Sequence, residues 1–356
     1  MSGTPRPTAV QPGFWPGCES LLAAAAACDG DAVPLLRALR DLPSPPVPGE
    51  GKTRALVQLL AGIAAEDVTA ARVVEPHFDA AAILAQADHT AEPGATWGVF
   101  AAASPVEVTW TAELSGTGER RRAELSGTKR WCSLAAHLDR ALVTARDSEG
   151  EWIFIVDLTH ASVMPHLGGA PFTGLRGVPS GPIELSSTPA TVVGAGPDWY
   201  TARPGFAWGG ICVASVWFGG AVALGETLTV AASTRAPDQL ALAWLGEADR
   251  LLHAARVQLD DAADRIDAGT ADWALALRVR ANVASTCRRL IAICGEALGP
   301  GPLAFDARHA RRVADLQMYL AQHHGARDDE ALGSLLHANG HGSSEWPAHA
   351  GVGLPS

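Results

Sequence analysis

The chain has 356 residues, 47% hydrophobic and 18% charged, with a formal net charge of −11. That composition describes a globular chain long enough for two or three domains, and its negative balance argues against nucleic acid or an anionic membrane as the main partner. Six cysteines, at 18, 28, 132, 212, 287 and 294, form no CxxC pair. This disfavours a zinc knuckle or a disulfide framework and points to a reducing compartment.

In chain order, residues 1–17 are polar and proline-rich, read as a flexible N-terminus without the basic start and apolar run of a signal peptide. Residues 18–93 read as an N-terminal helical domain. Glu19 to Leu42 is Ala/Leu-rich and broken at Asp29-Gly30, and a proline-rich loop follows at 41–51. Leu56, Leu59, Leu60 and Ile63 fall at helical spacing. Asp67 caps a next helix that breaks near Pro76 and resumes to about Ala87. Composition shifts at Gly94, and residues 94–203 hold several short strands with turn signals, a β-barrel or sandwich. Within it, Ser126-Gly127 reads as a tight turn. Residues 204–335 read as long helices packed as a bundle. In the second of them Leu251, Ala254, Ala255 and Leu259 mark one buried stripe. Residues 336–356 read as a flexible tail. No segment has the roughly 18 unbroken apolar residues of a membrane span.

The most informative stretch is Leu125 to Ala145. There Trp131, Cys132 and Ser133 set a flat aromatic face beside a small hydroxyl. A planar heterocycle suits such a pair: the ring packs on the indole, and the hydroxyl or its backbone N–H reaches a ring heteroatom.

GTKRWCS, residues 127–133, resembles the G-x-K-x-W-I-T strand of the acyl-CoA dehydrogenase superfamily. The resemblance spans about residues 53–335. It implies an α+β fold: an N-terminal helical domain, a central small β-barrel and a C-terminal helical bundle. It also implies FAD, with Trp131 and Ser133 against the flavin. Gln239 and Glu247 keep the spacing of the family's Q-x₇-E helix, whose Gln helps hold FAD. Gly299 and Gly301 match a glycine loop that, in the family, serves the FAD of a neighbouring subunit, which implies a homodimer or homotetramer. Asp315 matches the Asp of the following R-D helix, and Arg235 is the nearby candidate for the Arg of a shortened R-x-x-F-G loop.

The departures lie at the catalytic base. Family dehydrogenases use a glutamate to take the α-proton of an acyl-CoA. Here its usual place reads Gln322-His323-His324-Gly325, so His323 or His324 stands where the acid would be. The alternative family position falls at Trp208 to Gly210 and also lacks an acid. Some superfamily members are flavin monooxygenases without the Glu, using Ser or His near the flavin, and Ser133 with His323 or His324 matches them in residue type. The resemblance thus implies a flavin-dependent oxidoreductase taking a small-molecule substrate, an acyl thioester such as acyl-CoA or a similar carbonyl compound, and the cysteine usage implies a cytoplasmic location. A flavin monooxygenase and a degenerate binding or assembly paralogue are the alternatives.

Other residues carry weaker signals. Glu75-Pro76-His77 has too few neighbouring ligands for a metal site and reads as structural or as lining a substrate cleft. Glu296, before the glycine loop, is an off-motif base candidate. Arg311-Arg312 is either a solvated helix face or a partner for a phosphate of FAD or CoA. No P-loop, nucleophile elbow or Rossmann fingerprint is present.

Overall fold

The computed structural model describes residues 14–102, 108–113, 122–166, 172–234 and 236–338. Helices α1 (Cys18–Ala26) and α2 (Ala32–Arg40) flank the Asp29-Gly30 break, and both residues there take positive φ, 44° and 79°. Helices α3 (Thr53–Glu66) and α4 (Val68–Gln86) follow. Asp67 caps α4 by accepting from the Ala70 N–H at 3.1 Å. The expected interruption at Pro76 does not occur, and α4 runs through it. Proline removes one backbone donor, and the packing of α4 against α2, α3, α6 and the sheet outweighs that loss.

Seven strands form one sheet in the order β1 (Trp97–Phe100), β4 (Arg140–Arg146), β5 (Glu151–Asp157), β7 (Ser180–Val193), β3 (Arg122–Ser133), β2 (Thr109–Glu113), with β6 (Val163–Pro165) also on β7. The sheet curls: the Arg146 N–H, at the end of β4, donates to the Val108 carbonyl just before β2 at 3.2 Å. Its edge strands β1 and β2 are not paired with each other among the described residues, so the expected barrel is an open sheet. Ser126 and Gly127 are not a turn. They lie inside β3, where the register to β7 shifts between Leu125 and Gly127. Glycine within a strand marks a bulge as readily as a turn, and Gly127 takes φ 127°.

The C-terminal bundle follows the short α5 (Trp199–Ala202). It comprises α6 (Pro204–Thr234), α7 (Gln239–Asp267), α8 (Trp273–Leu298), α9 (Gly301–Phe305), α10 (Ala307–Leu320) and α11 (Ala326–Ala338). The expected tail therefore begins inside α11, and residues beyond 338 lie outside the described part. Helix α6 is long and apolar enough to cross a membrane, yet 78% of its most apolar window is buried, as in a core helix. It lies close against α3, because a Cβ on Gly219 would stand 2.1 Å from the Ala61 carbonyl oxygen. The buried stripe of α7 comprises Ala248, Leu252, Ala255, Leu259, Ala262, Ala263 and Ile266; Ala254 faces out. All six cysteines are free and buried.

Candidate functional site

Strand β3 alternates out and in from Arg122 to Leu125, shifts register at Gly127, buries Lys129 and then breaks the pattern again. Arg130 and Trp131 both face out before Cys132 turns in, because the register to β7 shifts between Lys129 and Cys132. Trp131 takes φ 61°, a left-handed conformation that costs a non-glycine residue about 1–2 kcal/mol. The outcome is an indole 66% exposed on a strand whose neighbours at 129 and 132 are buried. Lys129 anchors the inner side by donating to the Thr144 hydroxyl at 2.7 Å and its carbonyl at 3.1 Å. Burial pushes the Cys132 thiol up to about 12, so it is protonated and unreactive at neutral pH. Next to it, the Ser133 hydroxyl accepts from the Arg72 guanidinium at 3.2 Å and meets the Ser180 hydroxyl at 2.8 Å.

Arg72 opens a polar face on an otherwise apolar helix. Arg72, Glu75 and Asp79 sit at i, i+3 and i+7 along α4, one above the other on the side toward α6, α8 and α10. The Arg72 guanidinium lies 5.4 Å over the Tyr319 ring of α10, and the Tyr319 hydroxyl donates to Glu75 Oε2 at 3.1 Å. Glu75 is 7% exposed, and Oε1 has no hydrogen-bond donor among the described residues. Burial and then the charge of Asp79 push its carboxyl up to about 7, against the opposing pull of Arg72, Tyr319 and Arg280. Asp79 makes no hydrogen bond among the described residues and has one ion pair, to Arg203 at 4.0 Å. Burial raises its pKa and Arg203 opposes the rise. Arg280, on α8, lies 4.8 Å over the Trp217 ring and donates to the Gly210 carbonyl at 3.1 Å.

Between α4 and α6 this face borders a recess of about 280 Å³, its open mouth included, lined by Glu75 and Asp79 with Phe78, Ala82, Leu56, Leu60, Gly209, Cys212, Pro46 and Pro48. Its enclosed part, about 20 Å³, has room for about one water molecule, and the rest opens to solvent. His77, on the other side of α4, is not part of it. The Trp97 N–H donates to His77 Nδ1 at 3.2 Å, and burial lowers the imidazole to about 4, so it stays neutral.

The structure brings some of the expected residues to this region and spends others elsewhere. Ser133 reaches its edge through the Arg72 guanidinium, Trp131 lies two residues before it on β3, and neither lines the recess. His323 lies near it: its ring meets Trp217 edge-on at 6.1 Å, and Trp217 meets Tyr319 the same way at 6.2 Å. Its Nδ1 accepts from the Gly325 N–H at 3.3 Å, and Nε2 lies 3.6 Å from Asp328. Burial lowers its pKa. The His324 side chain is 64% exposed beside Asp328. Neither histidine lines the recess. Gln239 is exposed at the start of α7; Gly299, with φ 67°, and Gly301 have open space around them. Arg235 lies outside the described residues. Asp315 is 2% exposed, accepting from the Thr69 hydroxyl at 3.0 Å and the Leu175 N–H at 2.5 Å; it holds α10 against α4.

Arg311 and Arg312 are half-buried on α10, and each is bonded within the N-terminal helical layer. Arg311 pairs with Asp29 at 2.6 Å, and Arg312 donates to the Ala65 carbonyl at 3.2 Å. Glu296 is engaged by Arg289 at 2.7 Å, and Glu247 by the same arginine at 2.8 Å. Sequence reading missed Arg72, Asp79, Arg280 and Tyr319. One signal was available for α4: three charged side chains at helical spacing in an apolar helix. Tyr319, one of only two tyrosines in the chain, was a second.

No protein-family model and no curated protein matches the chain. Solved structures do. The chain is similar to KijD3 in complex with FMN and dTDP-3-amino-2,3,6-trideoxy-4-keto-3-methyl-D-glucose, at 17% identity over 95% of this chain and 97% of that one, TM-score 0.74. It is similar to TdsC from Paenibacillus sp. A11-2 in complex with FMN and indole, at 18% identity over 91% and 96%, TM-score 0.71. Butyryl-CoA dehydrogenase from Megasphaera elsdenii matches at 13% identity over 92% and 100%, TM-score 0.74. The chain therefore has the acyl-CoA dehydrogenase fold along nearly its whole length.

Proposed function

We propose that the chain is a flavin-dependent oxidoreductase whose small-molecule substrate enters the recess between α4 and α6. The observation that carries this reading is the strained bulge at residues 129–132. It holds the Trp131 indole 66% exposed, one residue before the buried turn to Ser133. An apolar ring of this size left open on a strand suits a planar heterocycle. A flavin fits the residues present: the indole for its face, the Ser133 hydroxyl for its edge, and Arg72 behind that hydroxyl. When bound, it supplies a two-electron acceptor and, once reduced, a reductant for oxygen. KijD3 and TdsC, both in complexes with FMN, support a flavin; FAD is the form the sequence resemblance implies.

Two chemistries are open to this scaffold, and the recess favours oxygenation over acyl-thioester dehydrogenation. Removing an α-proton beside a carbonyl needs hydrogen-bond donors at the carbonyl oxygen. The side chains lining the recess offer two carboxylates, and their only donor is the weak Cys212 thiol. The expected base positions hold His323, with Nδ1 already occupied, and the exposed His324. A self-associated molecule completes the proposal. Leu240 (63% exposed), Leu242 (55%) and Val257 (46%) on α7, with Leu303 (48%) and Phe305 (91%) beside the glycines, form apolar surface that a second copy would cover. Gly299, Gly301 and Gln239 would then serve a neighbour's flavin. Six buried free thiols suit a reducing cytoplasm.

The test begins with the visible spectrum of the purified chain after reconstitution with FMN or FAD. Anaerobic addition of acyl-CoAs, and separately oxygen uptake with chemically reduced flavin, divides the two chemistries. Oxygen uptake without bleaching by acyl-CoA is expected. Bleaching by an acyl-CoA would return the assignment to dehydrogenation, and a chain that holds no flavin would end the proposal.

A further inference from the structure

We infer that Ser180 sets the direction of the Ser133 hydroxyl, and that Ser133 is thereby held as an acceptor that favours a reduced flavin over an oxidised one. The inference rests on the flavin reading above and goes beyond it, to the oxidation state that the strand selects.

The bulge in β3 decides which residues meet. After the shift between Lys129 and Cys132, Ser133 stands directly opposite Ser180 of β7, and the two side chains share a face. Their hydroxyl oxygens lie 2.8 Å apart. One further bond reaches each of them. The Arg72 guanidinium donates to Ser133 Oγ at 3.2 Å, and Ser180 Oγ donates to the Val178 carbonyl at 3.2 Å. A guanidinium only donates and a carbonyl only accepts, so both ends of this chain of bonds have a fixed direction. Ser180 has a single hydrogen and spends it on Val178. Ser133 therefore gives its own hydrogen to Ser180.

The opposite arrangement strips a buried group. If Ser180 donated to Ser133 instead, the Val178 carbonyl would lose its one hydrogen bond among the described residues. Val178 is 3% exposed, so that carbonyl would stay desolvated and unpaired. The segment is also fastened on both sides of the carbonyl. The Val178 N–H donates to the Leu175 carbonyl at 2.9 Å, and the Pro179 carbonyl accepts from the Leu134 N–H at 2.8 Å.

Ser133 Oγ is left with one lone pair. It has given its hydrogen to Ser180 and taken one from Arg72, so it can accept one more bond and donate none. On reduction, a flavin edge gains an N–H where the oxidised ring carries a bare acceptor nitrogen. A hydroxyl held as an acceptor bonds the first and meets the second lone pair to lone pair. Arg72 acts in the same direction. It forms no ion pair among the described residues, and its positive charge favours the negative charge that a reduced flavin readily carries. Ser133 touches the cofactor, and Ser180 is a positioning residue that acts through it.

The test is the midpoint potential of the flavin held by the full-length protein, FMN or FAD, against the same flavin free in the same buffer. Roughly ten-fold tighter binding of the reduced form is expected, which places the midpoint about 30 mV above that of the free cofactor. Ser180→Ala frees the Ser133 hydrogen to turn toward the ring, so the midpoint should fall back by about the same 30 mV. Ser180→Thr keeps the hydroxyl and should hold the parent's value. A substitution that merely loosened the strand would weaken both oxidation states alike and leave the midpoint where it was. A parent midpoint at or below that of the free flavin would overturn the inference, whether or not Ser180→Ala folds. So would a Ser180→Ala midpoint equal to the parent's. Either result leaves the flavin reading standing. A chain that binds flavin in neither oxidation state would end both.

Discussion

Helices α4 and α10 are joined by two polar rungs, and the two differ in one respect. At the first, the Thr69 hydroxyl of α4 donates to Asp315 of α10, and the Leu175 N–H fills the other carboxylate oxygen. At the second, the Tyr319 hydroxyl of α10 donates to Glu75 of α4, and the other oxygen is left open beside a recess. Both carboxylates are buried, and burial raises both pKa values. A closed rung is fastening. An open one beside a cavity is a group whose hydrogen-bonding capacity is still unspent, which is where function is to be sought.

The largest expected effect separates the rungs by stability. Asp315→Ala strips the buried Thr69 and Leu175 donors of their charged acceptor and should cost about 4 kcal/mol in urea unfolding. Glu75→Gln removes a buried charge while keeping the shape and should stay within about 1 kcal/mol of the parent. If Glu75→Gln proves as costly as Asp315→Ala, the second rung is fastening as well and the contrast fails.

Next comes the pH dependence. Glu75 is raised from 4.5 to about 7, so the native state binds more protons than the unfolded chain across that window. Its contribution to stability therefore falls as pH rises from 4.5 to 7, by on the order of 3 kcal/mol. His77 is lowered from 6.5 to about 4, so the unfolded chain binds more protons there, and its contribution falls as pH drops through that range. The two slopes oppose each other and nearly cancel between pH 4.5 and 6.5. Glu75→Gln should expose a stability that rises with pH in that window, and His77→Asn should expose one that falls. Parallel curves for parent and both variants would contradict the assignments.

Much of this is legible in the sequence itself. The helical layers, the strand-rich middle and the Trp131–Ser133 element are local patterns, and local patterns survive in sequence. Pro76 was misread as a break because propensity is a weak prior for a helix packed on several sides. Gly127 was misread as a turn because a strand glycine carries the same mark for a turn and a bulge. The second rung was the hardest to see. Glu75 and Tyr319 stand 244 positions apart, and no periodicity links them. Even so, the spacing of Arg72, Glu75 and Asp79 announced a charged face on a buried helix. The glycine loop reads clearly in sequence, but its surroundings in a single chain are open space, since any partner for it lies on another copy.

A smaller effect tests the strain at the bulge. Trp131→Gly should stabilise the flavin-free chain by about 1 kcal/mol, because glycine takes φ 61° without the steric cost. The gain should be absent in Trp131→Ala. A loss of stability in Trp131→Gly would mean that the exposed indole packs on something the chain itself provides.

The most direct measurement is a flavin titration of the full-length protein and of Trp131→Ala, followed by quenching of flavin fluorescence. Saturation at one flavin per chain, with at least ten-fold weaker binding in the variant, is the predicted result. Unquenched fluorescence at saturating protein, or a variant that binds flavin as the parent does, would contradict the placing of the cofactor at this strand.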